Sequence, residues 1–352
     1  MEQKSAFKKY LIFAVKILIA VGIIAFLLRD PKEIIDCFRT FDCRYLVPAM
    51  FFYSLHIFFC AWRWRKLARL LGLRLKPFEA VSLTFQGNLF SLVIPGGAIG
   101  GDVVKMAAVT RRSASGSKAE GAFTVLMDRI VGMIALFVLE LAILGPAVPL
   151  LMNVSVPEVD LDPGAKKLGI LLLALLAVAG LAASCVIFFH RSIEKISLFG
   201  SLMRRADKTT HGMVSRLTAA TDVYSASWRQ LALLTLGSIF CVHIMTVVPM
   251  FFLLSGLHVE YGYFDVIVAV TIGNILGLIP FCPGGLGIRD AAAVTLLAAA
   301  GVAAADAKAA QLIYTGIILF FSFGGAVFLI LDPQRALDTG TPEAPERGGT
   351  RE

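Results

Sequence analysis

Two stretches of this sequence set the same groups at nearly the same spacing. In the first, Gly87-Asn88 leads to Pro95-Gly96-Gly97 and then to Gly100-Gly101-Asp102, with Lys105 three residues further on. In the second, Gly273-Asn274 leads to Pro283-Gly284-Gly285 and then to Arg289-Asp290. In both, Pro-Gly-Gly is followed by four residues and an Asp, while the gap from Asn to Pro differs by two residues and the second copy adds Pro280. Such a composition breaks one helix and starts another, and a restarted helix offers unpaired N–H groups and the positive end of a dipole. That end suits a phosphate or a carboxylate. Asp102 and Asp290 repel an anion there unless they pair with Lys105 and Arg289 or carry a proton, so anion binding and proton coupling both stay open.

Other polar groups lie inside apolar runs, where a charge at a helix centre costs roughly 2.5–3.5 kcal/mol on insertion scales and is a functional candidate by default. Asp128-Arg129 and Glu140 are of this kind. Their plainer readings are an ion pair near the interface for Asp128-Arg129 and an outward-leaning side chain for Glu140. Asp102 and Lys105, three apart, share a helix face and are expected to pair. Asn88, Asn274 and Gln86 bring amides to membrane depth. His56 and His243 read as histidines hydrogen-bonded within a bundle. Arg63-Trp64-Arg65-Lys66 closes an apolar run and reads as an orientation signal and interface anchor, with headgroup capture by Arg63 and Arg65 as its functional counterpart. No Ser/His, Cys/His or metal-ligand constellation appears, so no catalytic residue, metal or cofactor is expected. The six cysteines form no Cys-x-x-Cys. Cys37 and Cys43 share the first loop, and whether an oxidising compartment joins them is left open.

The elements that position these groups follow from composition. Of 352 residues, 57% are apolar and 16% charged, against roughly 25% charged in a soluble domain. Runs at 10–28, 45–62, 122–151, 168–189, 231–257 and 309–331 are each long enough to cross a membrane. The net charge of +8 is spread over the loops, which suits anionic lipid rather than nucleic acid, so no nucleic-acid partner is expected. Basic residues crowd 63–77 and 190–229, placing both in the cytoplasm, whereas 152–165 and 256–265 carry acids and face outward. The run from 78 to 95 is flanked by bases on both sides, so it cannot cross and is read as a re-entrant hairpin turning at Pro95-Gly96-Gly97. The second copy, about 264–301, is then entered from outside. The expectation is an all-α polytopic membrane protein of about six full spans plus two re-entrant helical hairpins in an inverted repeat, about eight hydrophobic segments in all. The repeats cover about 45–151 and 229–331 within a transmembrane domain 1–331, followed by a disordered cytoplasmic tail at 332–352.

With Arg63 to Leu67, the Gly87-to-Asp102 block, Asp128-Arg129 with Gly132, and Pro283-Gly284-Gly285-Leu286-Gly287 through Asp290, the chain resembles the lysylphosphatidylglycerol synthase transmembrane region, also described as flippase-like and UPF0104, over about residues 10–331. Many members carry Glu where this chain has Asp290. The resemblance implies a lipid flippase of a bacterial inner membrane with both termini cytoplasmic. Substrate does not carry over from the resemblance; the positive helix termini of the two hairpins are what suit an anionic phospholipid or related lipid-linked headgroup, held near the midplane. The resemblance implies no aminoacyl-transfer activity, since a separate soluble domain performs that step and the chain stops about twenty residues after its last run. The other reading is a non-transporting subunit or scaffold with a lipid-modifying enzyme or glycosyltransferase as partner. Headgroup, direction, energy source and oligomeric state are not legible.

Overall fold

The structure, a computed structural model, describes residues 31–93, 98–112, 118–155, 162–188, 213–278 and 287–331. Among the described residues every regular element is helical. In chain order these are α1 (Pro31–Thr40), a 3-10 turn (Cys43–Tyr45), α2 (Leu46–Leu70), α3 (Pro77–Val93), α4 (Ala98–Arg112), α5 (Lys118–Met152), α6 (Pro163–Phe188) and α7 (Met213–Ala226). Then come α8 (Trp228–Ser238), a π-helical turn (Ile239–Ile244), α9 (Met245–Gly256), α10 (Tyr263–Leu276), α11 (Ile288–Ala299) and α12 (Ala304–Leu331).

Five stretches are long and apolar enough to cross a membrane: Cys43–Leu70, Ala119–Met152, Pro163–Phe188, Trp228–Gly256 and Ala304–Leu331. They fall on five of the six expected runs; the sixth, 10–28, and the tail at 332–352 lie outside the described residues. The lipid-facing side is plainest on α6, where Leu168, Leu171, Leu172 and Leu175 are exposed. So many neighbouring leucines on a surface fit hydrocarbon and not water.

Local chemistry sets the helix ends. Pro163 opens α6, where a missing N–H costs nothing, and the Asp162 carboxylate accepts from Gly164 N at 3.2 Å and Ala165 N at 3.0 Å. Gly72 and Gly301 have φ of +77° and +93°. Each ends its helix with a left-handed residue whose neighbours reach back to the orphan carbonyls, Leu73 N to Ala68 O at 3.0 Å and Val302 N to Leu297 O at 3.1 Å.

The two repeated stretches each form a pair of short helices, α3 with α4 and α10 with α11. With 17, 15, 14 and 12 residues, all fall short of the about 20 that a span takes. Each pair crosses at the glycine of its Gly-Asn. A Cβ on Gly87 would stand 2.8 Å from Lys105 Cε, and one on Gly273 3.0 Å from the Arg289 carbonyl oxygen and 3.6 Å from Ala293 Cβ. Lys105 stands to Gly87 as Ala293 stands to Gly273, with two more residues in between in the second copy. The crossings therefore keep register, and the extra length is taken up between the crossing and Pro-Gly-Gly.

Packing repeats as well. α3 lies on α12 as α10 lies on α5; α4 lies on α5 as α11 lies on α12; α2 touches α3 and α5 as α9 touches α10 and α12. The largest apolar cluster, including Ile57, Leu139, Met250, Ala269, Leu297 and Ile317, fills the space between the two sets.

Several local readings need correction. α2 does not stop at Trp62 but continues to Leu70, because Arg63, Leu67 and Ala68 face the bundle and are buried. The basic segment 190–229 is not all loop: its α7 docks through Tyr224, fully buried, whose hydroxyl donates to Leu67 O at 3.1 Å. Cys37 and Cys43, whose pairing the sequence leaves open, are free thiols in the structure. Cys37 Sγ instead donates to Asp306 Oδ1 at 3.2 Å, and burial together with that carboxylate pushes the Cys37 thiol up to about 11.

Candidate functional site

Most of the polar residues singled out in the sequence meet at one cavity of about 320 Å³. Each helix contributes a stripe at helical spacing. His56, Cys60 and Arg63 come from α2; Thr84, Asn88 and Ser91 from α3; Asp102 and Lys105 from α4; Arg129, Gly132 and Leu136 from α5. The π-helical turn adds Val242 and His243, and α11 adds Arg289. That turn is held to both neighbours, since His243 Nε2 donates to Gly132 O at 2.9 Å and His56 Nδ1 donates to Val242 O at 3.3 Å. Both histidines thus bond within the bundle, as expected.

Asp128 and Arg129, although adjacent on α5, do not pair with each other, because each finds its partner on another helix. Asp128 Oδ1 accepts from Arg63 Nε at 2.7 Å, and Arg63 Nη1 also donates to Ser238 Oγ at 3.1 Å. Arg63 is therefore not an interface anchor but a buried cation, 6% exposed. Gly132 makes room for it, since a Cβ there would stand 3.1 Å from the guanidinium. Arg129 binds Asp102 through Nη2 at 2.5 Å and Nε at 2.8 Å. Asp102 consequently does not pair with Lys105. Lys105 is 8% exposed and lies with Nζ 5.3 Å from the centre of the Trp64 ring. Among the described residues it has no hydrogen-bond or ion-pair partner.

The second copy is arranged differently. Asp290 Oδ1 accepts from Arg289 Nη2 at 2.7 Å and from Gln311 Nε2 at 2.8 Å, while Oδ2 accepts from Gly287 N at 3.1 Å. Asp290 thus caps its own helix, and the α11 N-terminus carries a carboxylate already. Arg289 reaches the cavity while Asp290 sits behind it. Asn274 is bonded to Thr246 Oγ1 at 3.2 Å and stays outside the lining, and Arg65 is turned to Leu75 O at 2.9 Å. Gly100 is buried in α4. Pro95, Gly96, Gly97, Pro283, Gly284 and Gly285 lie outside the described residues. Glu140 does not lean outward: it is fully buried.

Counted together, the bases Arg63, Lys105, Arg129 and Arg289 meet the acids Asp102, Asp128 and Asp290. The cluster has one base more than it has acids, and Lys105 is the base left over. Trp64, read in the sequence as part of an interface anchor, is fully buried instead, and nothing local marks its place under Lys105, 41 residues away. The polar stripe Thr84, Asn88, Ser91 on α3 was open to view as a helical period.

Helices that expose leucine to the surroundings and turn their charges onto a buried cavity define a multi-pass membrane protein with its site inside the bundle. Residues 13–325 match the family described as the lysylphosphatidylglycerol synthase TM region, and the chain belongs to that family. It is also similar to a UPF0104 membrane protein of Pyrococcus horikoshii, 24% identical over 304 residues that cover 84% of this chain and 88% of the relative.

Proposed function

We propose that this protein moves an anionic lipid between the leaflets of a plasma membrane, holding the headgroup phosphate in the charge-lined cavity. The observation that carries the reading is Lys105, a base buried in a transmembrane bundle with no carboxylate of its own. A charge is costly at that depth, and a phosphate oxygen is the natural acceptor for an ammonium and a neighbouring guanidinium. In this reading Lys105 supplies the point charge and Asn88 a hydrogen bond. Asp102 holds Arg129 in place, and Arg63 with Asp128 is a fixed wall. At about 320 Å³ the cavity is at the small end of ligand sites, which fits a headgroup whose acyl chains stay in lipid.

The short pairs α3/α4 and α10/α11 are read as re-entrant hairpins entered from opposite faces. Support comes from their length, their matched glycine crossings and the paired packing of the two helix sets. The ends of α2 and α4 and the segment 190–212 then face the cytoplasm, and the segments after α5 and α9 face outward. Single cysteines at Arg74, Ser115, Ser155 and Glu260 in a cysteine-free background test this. An impermeant thiol reagent added outside should label Ser155→Cys and Glu260→Cys only. Labelling of just one of Arg74→Cys and Ser115→Cys would mean that α3/α4 crosses.

The functional test is reconstitution of the protein alone into vesicles, with transfer of fluorescent phosphatidylglycerol and of a neutral lipid followed between leaflets. Faster transfer of the anionic lipid is expected. Rates equal to those of protein-free vesicles would move the protein to a supporting role for another lipid enzyme.

A further inference from the structure

The α5 stripe that lines the cavity runs through Arg129, Gly132 and Leu136, and its next member, one turn on, is Glu140. This side chain is 0% exposed, and neither carboxyl oxygen has a hydrogen-bond partner. The other acids of the cluster are all engaged: Asp102 by Arg129, Asp128 by Arg63, and Asp290 by Arg289 and Gln311. The elements packed along this part of α5 carry titratable groups: Tyr53 and His56 on α2, Lys166 on α6, His243 in the π-helical turn, Asp265 on α10, and Arg289 with Asp290 on α11. None of them hydrogen-bonds to Glu140 or ion-pairs with it. A carboxylate buried with neither donor nor cation is among the most costly arrangements a protein can make, and such a group is held as the neutral acid. The ion pairs at Asp102 and Asp290 remove the two carboxyls that the repeat itself suggested for proton coupling. Among the described residues, Glu140 is the acid with both carboxyl oxygens buried and unpartnered, and so the one that suits that role.

We propose that Glu140 is a proton-binding site at the end of the cavity's α5 face. It holds its proton while buried, gives it to water when that end of the cavity is wetted, and takes one back from water on closing. One O–H bond breaks and one forms; no other group changes. The proton site stands on burial and geometry alone, whereas its use to drive headgroup movement rests on the translocase reading above.

Two measurements separate these claims. First, the wild-type protein in detergent is treated with a hydrophobic carbodiimide, which reacts with protonated carboxyls, and its peptides are weighed; infrared difference spectra compare it with Glu140→Gln. Modification at Glu140 and loss of one protonated-carboxyl band in Glu140→Gln are expected. No adduct at Glu140, or an unchanged band pattern, overturns the proton site, and the adduct arm needs no variant to fold. Second, phosphatidylglycerol transfer in vesicles is measured with and without a pH difference. Wild type should respond by about fivefold, the low end of ordinary coupling between two sites, and Glu140→Gln should respond not at all. An equal response in both proteins overturns the coupling. If wild type moves no lipid under any condition, the translocase and the coupling both fall, and the adduct and the band still decide the proton site.

Discussion

Gly101→Ala is expected to cost at least the upper part of the about 1–3 kcal/mol seen when a packed interior is overfilled. A Cβ at Gly101 falls on the Gly87 carbonyl oxygen and the Ser91 hydroxyl, so the obstacle is largely backbone and cannot swing aside. The same helix α3 is held on its other side by Gly325, whose Cβ would fall on the Phe85 carbonyl oxygen. With α4 and α12 both at backbone contact, α3 has nowhere to retreat. Gly145 and Gly237 are helical glycines with nothing within 4 Å of an added Cβ. At those positions alanine should be neutral or gain up to about 1 kcal/mol of helix propensity. Heating purified protein in detergent and following the monodisperse fraction compares the three. A Gly101→Ala midpoint equal to that of wild type would mean the close crossing of α3 and α4 is not as described.

Asp128→Leu should be comparably severe, because it takes the hydrogen-bonded carboxylate from Arg63, buried at 6% exposure, and leaves the Ser238 hydroxyl as its side-chain hydrogen-bond partner among the described residues. Removing one partner of a buried pair costs about 3–5 kcal/mol, whereas replacing both by apolar residues is often neutral or better. Arg63→Met with Asp128→Leu should therefore recover most of the loss seen in Asp128→Leu alone. The full double-mutant cycle, including Arg63→Met, measures the coupling. A double variant as unstable as the sum of the singles would show that the two side chains do not act as a pair.

How much of this was open to sequence reasoning depends on the range of each interaction. Apolar runs announce helices through composition alone, and five of the expected spans lie where the runs lie. The repeat was visible because Pro-Gly-Gly and the Asp sit at fixed local spacing, and it led to Asp102, Lys105 and Arg289 at the cavity, while the charge inside an apolar run led to Arg129. Pairing was not visible. Local proximity suggested Asp102 with Lys105, but Asp102 met Arg129 and Asp128 met Arg63, 27 and 65 residues away. Of the local pairs expected at the repeat, Arg289 with Asp290 formed. The end of the apolar run 45–62 looked like a membrane boundary because Arg63 follows Trp62, yet a buried acid on another helix drew that arginine inward and the helix continued. The outward-leaning reading of Glu140 fails for the converse reason: a lone carboxyl suggests an exposed side, and the sequence carries no sign of the apolar contacts that enclose it.

The central claim is that a cavity with one base in excess takes up an anionic headgroup, and Lys105→Met tests it most directly. Methionine keeps a stem of similar length against Trp64 while removing the charge. A hydrogen bond to a charged group contributes about 1.5–3 kcal/mol, which is tenfold or more in rate. Transfer between leaflets would be measured in vesicles at matched amounts of folded protein. Wild type is expected to move phosphatidylglycerol faster than a neutral lipid, and Lys105→Met to lose about tenfold on the anionic lipid alone. An unchanged phosphatidylglycerol rate in folded Lys105→Met, or equal rates for both lipids in wild type, would contradict the account.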